Sequence, residues 1–490
     1  MLLSDYQWSG NPRGLHITNA FVFDQDVNHY ARLRLGWLKL VCGGDEFLHL
    51  VAQLLPLNIT PIVRMYLLNW GNRPLNGYFR QAYIDYAAAG VKWFEFYNEP
   101  NQGVEWHDGI EPDWRDSGQI QGLMDNWLNW AEFIIQLGGY PGFIPLAESD
   151  TPNLAAVRWM DAMLNDLANR HYERFLNVLR SGCYCATHPY ILNHFYQERV
   201  GGGERSARPP SQVKASEGGW HFEYPYDPIS QAHDPGRTVL GGTALTPYGD
   251  PVGLLAMGQL FNDRCRSIWG TRAIPVVGTE GGIWNLPAPD EEFQPDTRFP
   301  PVTNYSHGEG TVAMFDWIAT DAPEWMFGVT LWKEDAYRER GQVTLSRLEQ
   351  TQPVRKSVPA IPVMLDGSEA HAVGELLKGP GPIHGTADFH VVVLDAALGE
   401  AWFFDTAESY WQTFKPILTT SVAFFEWLPY ETSLAVTFIV SAENQAQAET
   451  LMRQNYPNAY VESIVVFPDQ TLEQIATIFA QRVATGRRFG

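Results

Sequence analysis

Two carboxylate-bearing segments carry the chemistry that this chain suggests. Trp93-Phe94-Glu95-Phe96-Tyr97-Asn98-Glu99-Pro100-Asn101 is an apolar run that ends in Asn-Glu and is stopped by proline. Ile274-Pro275-Val276-Val277-Gly278-Thr279-Glu280-Gly281-Gly282 is a second apolar run ending in Glu. Read as buried parallel strands, both deliver a carboxylate to the C-terminal rim of a sheet. A facing pair of that kind suits cleavage of a glycosidic bond: one protonated acid for the leaving oxygen, one ionised group facing the anomeric carbon. The competing reading of Glu99 and Glu280 is a strand-end carboxylate that pairs with a nearby base or caps a helix. Gly281 and Gly282 remove side chains beside Glu280, which leaves room for a substrate or simply makes a tight turn. Glu95 shares the parity of Glu99 and faces inward one layer down, as a partner of the site or as a satisfied core acid.

Two strand ends far apart in sequence need a scaffold that makes them face each other. Short apolar runs at 14–20, 37–43, 60–68, 91–99, 143–149, 183–190, 274–281 and 326–332 alternate with amphipathic stretches at 46–55, 78–89, 123–137, 155–179, 253–268 and 310–319. This alternation predicts an α/β fold, a closed (β/α)8 TIM barrel rather than an open doubly wound sheet. No GxGxxG turn follows the first run, which disfavours a dinucleotide-binding sheet. Glu99 then ends strand four and Glu280 strand seven. Long loops follow several strands: 100–119 carries Trp106, His107 and Trp114, 191–251 carries the patch Trp220-His221-Phe222-Glu223-Tyr224, and 284–307 is rich in proline and acid. On a barrel they decorate the C-terminal face, where sites are built.

Residues 1–350 are expected to form the barrel and 351–385, with several Pro and Gly, a linker or bridging segment. Residues 386–490 read as an additional small C-terminal α/β or α+β domain of unknown role. Its expected elements are paired strands at 389–394 and 401–404, a strand at 434–440, a helix at 444–454, a strand at 461–466 and a last helix at 472–483. That is not the all-strand pattern of a carbohydrate-binding sandwich.

Composition narrows the partners. The 490 residues hold 34 Lys and Arg against 56 Asp and Glu, a net charge of −22, which disfavours nucleic acid and anionic membrane surfaces. From residue 361 onward there are 6 basic and 15 acidic residues, so the C-terminal part is not a basic binding tail. Aromatics reach 13%, and 15 of the 18 tryptophans precede residue 340, which suggests an aromatic-lined cleft for flat sugar faces alongside a large core. No 18-residue apolar run argues for a membrane span. The N-terminus lacks the pattern of a secretory leader, which places the chain in the cytoplasm; a secreted chain whose leader had been removed would read the same. Four cysteines make no disulfide framework, and Cys42 and Cys265 lack finger-like partners, so no metal and no cofactor is expected.

The two glutamate motifs, with His188-Pro189-Tyr190 after strand six and Trp332 after strand eight, resemble the clan of retaining glycoside hydrolases built on (β/α)8 barrels. That clan includes family 5 cellulases and mannanases and family 39 enzymes, and the resemblance covers about residues 10–345. It implies Glu99 as general acid/base, Glu280 as nucleophile, Asn98 on the sugar 2-hydroxyl, His188 and Tyr190 lining the site, and Trp332 as a sugar platform. The chain departs from the pattern in places. The arginine that braces the nucleophile has no clean match, and Arg64 within strand three is the substitute. The histidine often seen after strand three is absent, and Asn69 and Trp70 occupy that rim. Glu148, ending strand five, is an extra carboxylate, and Trp284 in the loop after strand seven is a further contact candidate.

The expected reaction is double displacement with retention. Glu280, braced by Tyr190 or Arg64, attacks while Glu99 protonates the leaving oxygen, with the carboxyl groups about 5–5.5 Å apart. The expected partner is a β-linked neutral oligo- or polysaccharide. A binding or structural protein on a degenerate barrel and a transglycosylase are the alternatives. Sugar, linkage, endo or exo action and oligomeric state are open.

Overall fold

The computed structural model describes residues 1–17, 27–191 except 108 and 150, 195–197, 220–222, 227–299 except 242, 285, 289, 290, 294 and 295, and 301–358. In the C-terminal part it describes 387, 389–395, 398, 401–421, 434–467 except 443 and 456–458, and 472–489 except 487. The chain divides into two compact units, Met1–Ile268 with Ala273–Ala360, and Trp269–Arg272 with Ile361–Gly490.

The first unit is a closed barrel of eight parallel strands. They are β1 (Arg13–Ile17), β2 (Trp37–Cys42), β3 (Thr60–Met65), β4 (Trp93–Glu95), β5 (Tyr140–Phe143), β6 (Tyr184–Thr187), β7 (Val276–Gly281) and β8 (Met326–Leu331). Each strand pairs with its sequence neighbours, and β1 closes on β8. The strands read as apolar runs because a parallel barrel is buried on both faces. Intervening helices start on side-chain caps where the sequence supplies them. Asp116 accepts from the amides of Gly118 and Gln119 to open Ser117–Gln136, whose Ile120, Leu123, Met124, Trp127, Leu128, Ala131 and Ile134 form one buried stripe.

Observed bounds differ from the apolar runs mainly at the rim. Strand four ends at Glu95, so Asn98 and Glu99 lie on the loop beyond it rather than in the ladder. Strand five is Tyr140–Phe143, and most of the run expected at 143–149 is rim loop that ends in Glu148. In both places an apolar loop packed over the barrel mimics a strand in sequence. Residues 18–20 of the first expected strand, and Glu223 and Tyr224 of the aromatic patch, lie outside the described residues.

Inside the barrel the side chains stack in layers. Trp37, Trp93, Tyr140 and Tyr184 each begin a strand, and with Tyr6, Trp8 and Phe327 they fill the N-terminal end. Trp8 stacks on Phe327 at 4.4 Å between ring centroids, and Trp37 meets Trp93 edge-on at 5.0 Å. Trp127, Trp130, Trp159, Trp317 and Trp325 are fully buried as well, so much of the tryptophan content is core rather than cleft lining.

Residues 351–358 lie along the barrel unit. Thr351 O accepts from Arg13 and Arg34, and the buried Lys356 Nζ donates to the carbonyls of Ile318 (2.7 Å) and Ala322 (2.9 Å). The rest of the expected linker lies outside the described residues.

The second unit holds a four-stranded parallel sheet of β9 (Phe389–Leu394), β10 (Ile417–Thr419), β11 (Leu434–Ser441) and β12 (Tyr460–Val466), in the order β10-β9-β11-β12. It is α/β. Residues 401–404, expected as a strand hairpinned to 389–394, belong instead to the helix Ala401–Thr406, whose Phe403 is buried under the sheet. Parallel pairing requires such a crossover where a hairpin would have given an antiparallel pair. Among the described residues no helix is long and apolar enough to cross a membrane.

Candidate active site

One inward step above the aromatic layer, the barrel changes from rings to charges. Lys39 follows Trp37 by two residues and Glu95 follows Trp93 by two, so each points into the barrel one layer higher. The register sets His16 beside Lys39 and Arg64 beside Glu95. Glu280 enters from β7. All five side chains are buried.

Glu280 is the focus of this floor. Its Oε1 lies 3.1 Å from an Arg64 guanidinium nitrogen, 3.2 Å from Lys39 Nζ, 3.3 Å from His16 Nε2 and 3.8 Å from His188 Nε2. Oε2 accepts from the Tyr190 hydroxyl at 3.2 Å. Burial alone would raise this carboxyl, but His188, Lys39, Arg64 and His16 overcome it and hold Glu280 well below the usual carboxylate range. Lys39 Nζ also lies 2.9 Å from Glu95 Oε2. Glu95 is likewise held down: its burial is outweighed by Lys39 and Arg64. Burial pushes His16 down to about 4, against the pull of Glu280, so its imidazole is neutral near pH 7. Burial and the two neighbouring glutamates push the Tyr190 hydroxyl up, which keeps it a donor.

The rim holds the other carboxylate. Glu99 Oε1 sits 2.7 Å from Nδ1 of His188, and the Glu99 side chain retains 19% exposure. His188 is buried, and its Nε2 has no hydrogen-bond partner among the described residues. One imidazole therefore stands between Glu99 and Glu280. Asn98 is gripped at both ends of its amide: Oδ1 accepts from Arg64, and Nδ2 donates to Glu105 Oε1 at 2.6 Å. Burial pushes the Glu105 carboxyl up despite that hydrogen bond, and the charges of Glu99 and Glu280 act in the same direction.

The close fit of the end of β7 to the chain after β6 and to β8 depends on glycine. A Cβ on Gly281 (φ +148°) would stand 2.4 Å from the Pro189 carbonyl oxygen, and one on Gly282 (φ +84°) would stand 2.5 Å from Leu331 Cδ2. Those two glycines make room for the protein itself rather than for a substrate.

The structure thus gathers Glu99, Glu280, Asn98, Arg64, His188 and Tyr190. Trp332 joins them, its ring 4.5 Å from that of His16 and 6.4 Å from that of Tyr190. Other candidates stand apart. Asn69 is exposed in a left-handed turn (φ +50°), and Trp70 donates to Arg73 O within its own loop. Glu148 accepts from the Gly253 amide at 3.3 Å, and Trp284 is half-buried after β7. Lys39, His16 and Glu105 were not anticipated. Lys39 and His16 had a signal, Lys39 as the one basic residue of β2 and His16 as the one ionisable residue of the apolar run 14–20; Glu105, in a loop, had none. Among the described residues no group of three or more His, Cys, Asp or Glu could hold a metal ion.

No protein-family model and no curated protein matches the sequence. Solved structures with similarity include a GH128 subgroup I endo-β-1,3-glucanase from Amycolatopsis mediterranei in complex with laminaritriose, at 12% identity over 69% of this chain and 99% of that one, TM-score 0.33. A GH128 subgroup III curdlan-specific exo-β-1,3-glucanase from Blastomyces gilchristii, in complex with glucose, is 12% identical over 70% and 99%, TM-score 0.36. A GH113 β-1,4-mannanase is 8% identical over 70% and 99%, TM-score 0.28.

Proposed function

We propose that the barrel is a retaining glycosidase acting on β-linked, neutral oligo- or polysaccharides, with Glu280 as nucleophile and Glu99 as general acid/base. The observation that carries this reading is the pair of differently placed carboxylates joined through His188: Glu280 buried among basic groups and held ionised, Glu99 partly open at the rim. Glu280 Oε1 is occupied by Lys39, Arg64 and His16, which leaves Oε2, beside Tyr190, as the attacking oxygen. Oε2 bonds to the anomeric carbon as the glycosidic C–O bond breaks, and the Glu99 proton passes to the leaving oxygen. Water then gives a proton to Glu99 and its oxygen to the anomeric carbon, and the electron pair of the ester C–O bond returns to Glu280. Trp332 supplies an apolar ring face beside the reacting centre.

A panel of aryl β-glycosides, β-1,3-glucans, β-glucans, mannans and xylans, with Glu99→Gln and Glu280→Gln in parallel, tests the reading. Turnover that both variants abolish, with the β-anomer formed first by proton NMR, supports it. A first-formed α-anomer overturns retention, and a folded protein that turns over none of the panel overturns hydrolysis.

A further inference from the structure

A buried lysine among carboxylates calls for an explanation that stability does not supply. Replacing such an ion pair by apolar side chains is often neutral or stabilising, and the layer immediately below is made of rings. Lys39 nevertheless sits with no exposure at 2.9 Å from Glu95 and 3.2 Å from Glu280.

We propose that Lys39 is a positioning residue for the second half of the reaction: its ammonium, shared by Glu95 and Glu280, becomes an unbalanced charge when Glu280 is esterified, and that charge promotes breakdown of the glycosyl-enzyme. The inference rests on the two-carboxylate reading above. Before attack, the floor holds two carboxylates, Glu95 and Glu280, against two cations, Lys39 and Arg64, with His16 neutral. Attack turns Glu280 into a neutral ester and leaves both cations with Glu95 as the remaining carboxylate of the floor, Glu105 and Glu99 lying beyond it toward the rim. Lys39 and Glu95 are sealed from water, so solvent screens the excess weakly. Among the partly open groups in the field of Arg64 is Glu99, which must become an anion to accept a proton from water. The same excess favours return of the electron pair to Glu280 as the ester bond breaks. The groups that share this field are His16 from β1, Arg64 from β3, Glu95 from β4, Glu99 and Glu105 beyond it, and Tyr184, His188 and Tyr190 from β6 and its rim.

The test compares wild type, Lys39→Met, Glu95→Gln and the double variant by two measurements. Titration of the Glu280 carboxyl by carbon-13 NMR needs no substrate. Its midpoint is expected to rise by about one pH unit or more in K39M and to fall back in K39M/E95Q, where charge is balanced again. On a dinitrophenyl β-glycoside, kcat, set by breakdown of the glycosyl-enzyme, is expected to fall about 100-fold in K39M and kcat/KM by less than about 10-fold, with recovery in the double variant. An unchanged midpoint in K39M, or equal losses in kcat and kcat/KM without recovery, overturns the proposal. Should K39M not fold, E95Q decides: a Glu280 midpoint lower than in wild type supports the shared ammonium, and an unmoved one overturns it. A wild type that forms no glycosyl-enzyme refutes the glycosidase reading, whereas the titration reports on Lys39 by itself.

Discussion

Both units bury a row of polar side chains across a parallel sheet, and they do it differently. In the C-terminal unit His390 Nε2 meets Thr437 Oγ1 at 3.0 Å, Thr437 donates to Glu462 at 2.6 Å, and Arg482 closes the row on Glu462 at 2.6 Å. The Tyr410 hydroxyl and Arg482 both reach the carbonyl of Arg488, and the Phe489 ring lies 5.2 Å from that of His390. Among the described residues Glu462 is paired with Arg482 and also accepts from Tyr460, and residues 488–489 pack beside the row. The barrel floor instead crowds Glu95 and Glu280 around Lys39 and Arg64 and opens through Glu99 and Tyr190 toward the rim. A covered pair penalises the loss of either partner; charges shared beneath an open rim are, in the proposed reaction, placed to respond to a change of charge.

That contrast can be broken from either side. Glu280→Gln and Glu99→Gln are expected to lower kcat/KM by about 10⁴-fold; melting is preserved in Glu99→Gln and lowered in Glu280→Gln, which leaves Lys39 and Arg64 short of a carboxylate, as steady-state kinetics and calorimetry on the same preparations will report. Glu462→Leu should do the reverse: stranding Arg482 costs the C-terminal unit about 3 kcal/mol in urea unfolding, while turnover at low temperature is retained. Gly281→Ala should fall between, losing about 2 kcal/mol from the strained φ and the clash with Pro189, with kcat reduced because Glu280 is adjacent. A slope of stability with pH is expected as well. Burial holds His16 and His307 at about 4 when folded, against an unfolded value near 6.5. Their contribution is complete above pH 6.5 and is lost as pH falls toward 4, at roughly 1.4 kcal/mol per unit for each histidine. Calorimetry from pH 7 to 4.5 should show the decline, and His307→Gln should flatten it.

Much of this arrangement was legible because its signals were local. An apolar run capped by Glu-Gly-Gly marks β7, so Glu280 followed from a strand end, whereas His188 and Tyr190, where β6 meets the rim, came from the resemblance that His188-Pro189-Tyr190 carries. Arg64 was reached only as a substitute for a missing arginine, yet its guanidinium lies on Glu280. Lys39 and His16 escaped because a parallel strand is apolar on both faces, so a single polar residue gives no parity by which to assign it inward. Helix Ala401–Thr406 was read as a strand because Ala-Trp-Phe-Phe has no helical period over four residues. Glu105 depends on how a loop folds back onto Asn98 seven residues earlier, a contact outside any helix or strand period.

The ring layer at the N-terminal end has a consequence for traffic. Tyr6, Trp37, Trp93, Tyr184 and Phe327 are buried and mutually packed there, so the barrel is a cup with a closed bottom rather than a tube. Were the barrel to act as proposed, sugar, leaving group and the water of the second displacement would all use one mouth. In the proposed reaction, then, the water of the second step reaches the glycosyl-enzyme from the side on which the leaving group departs.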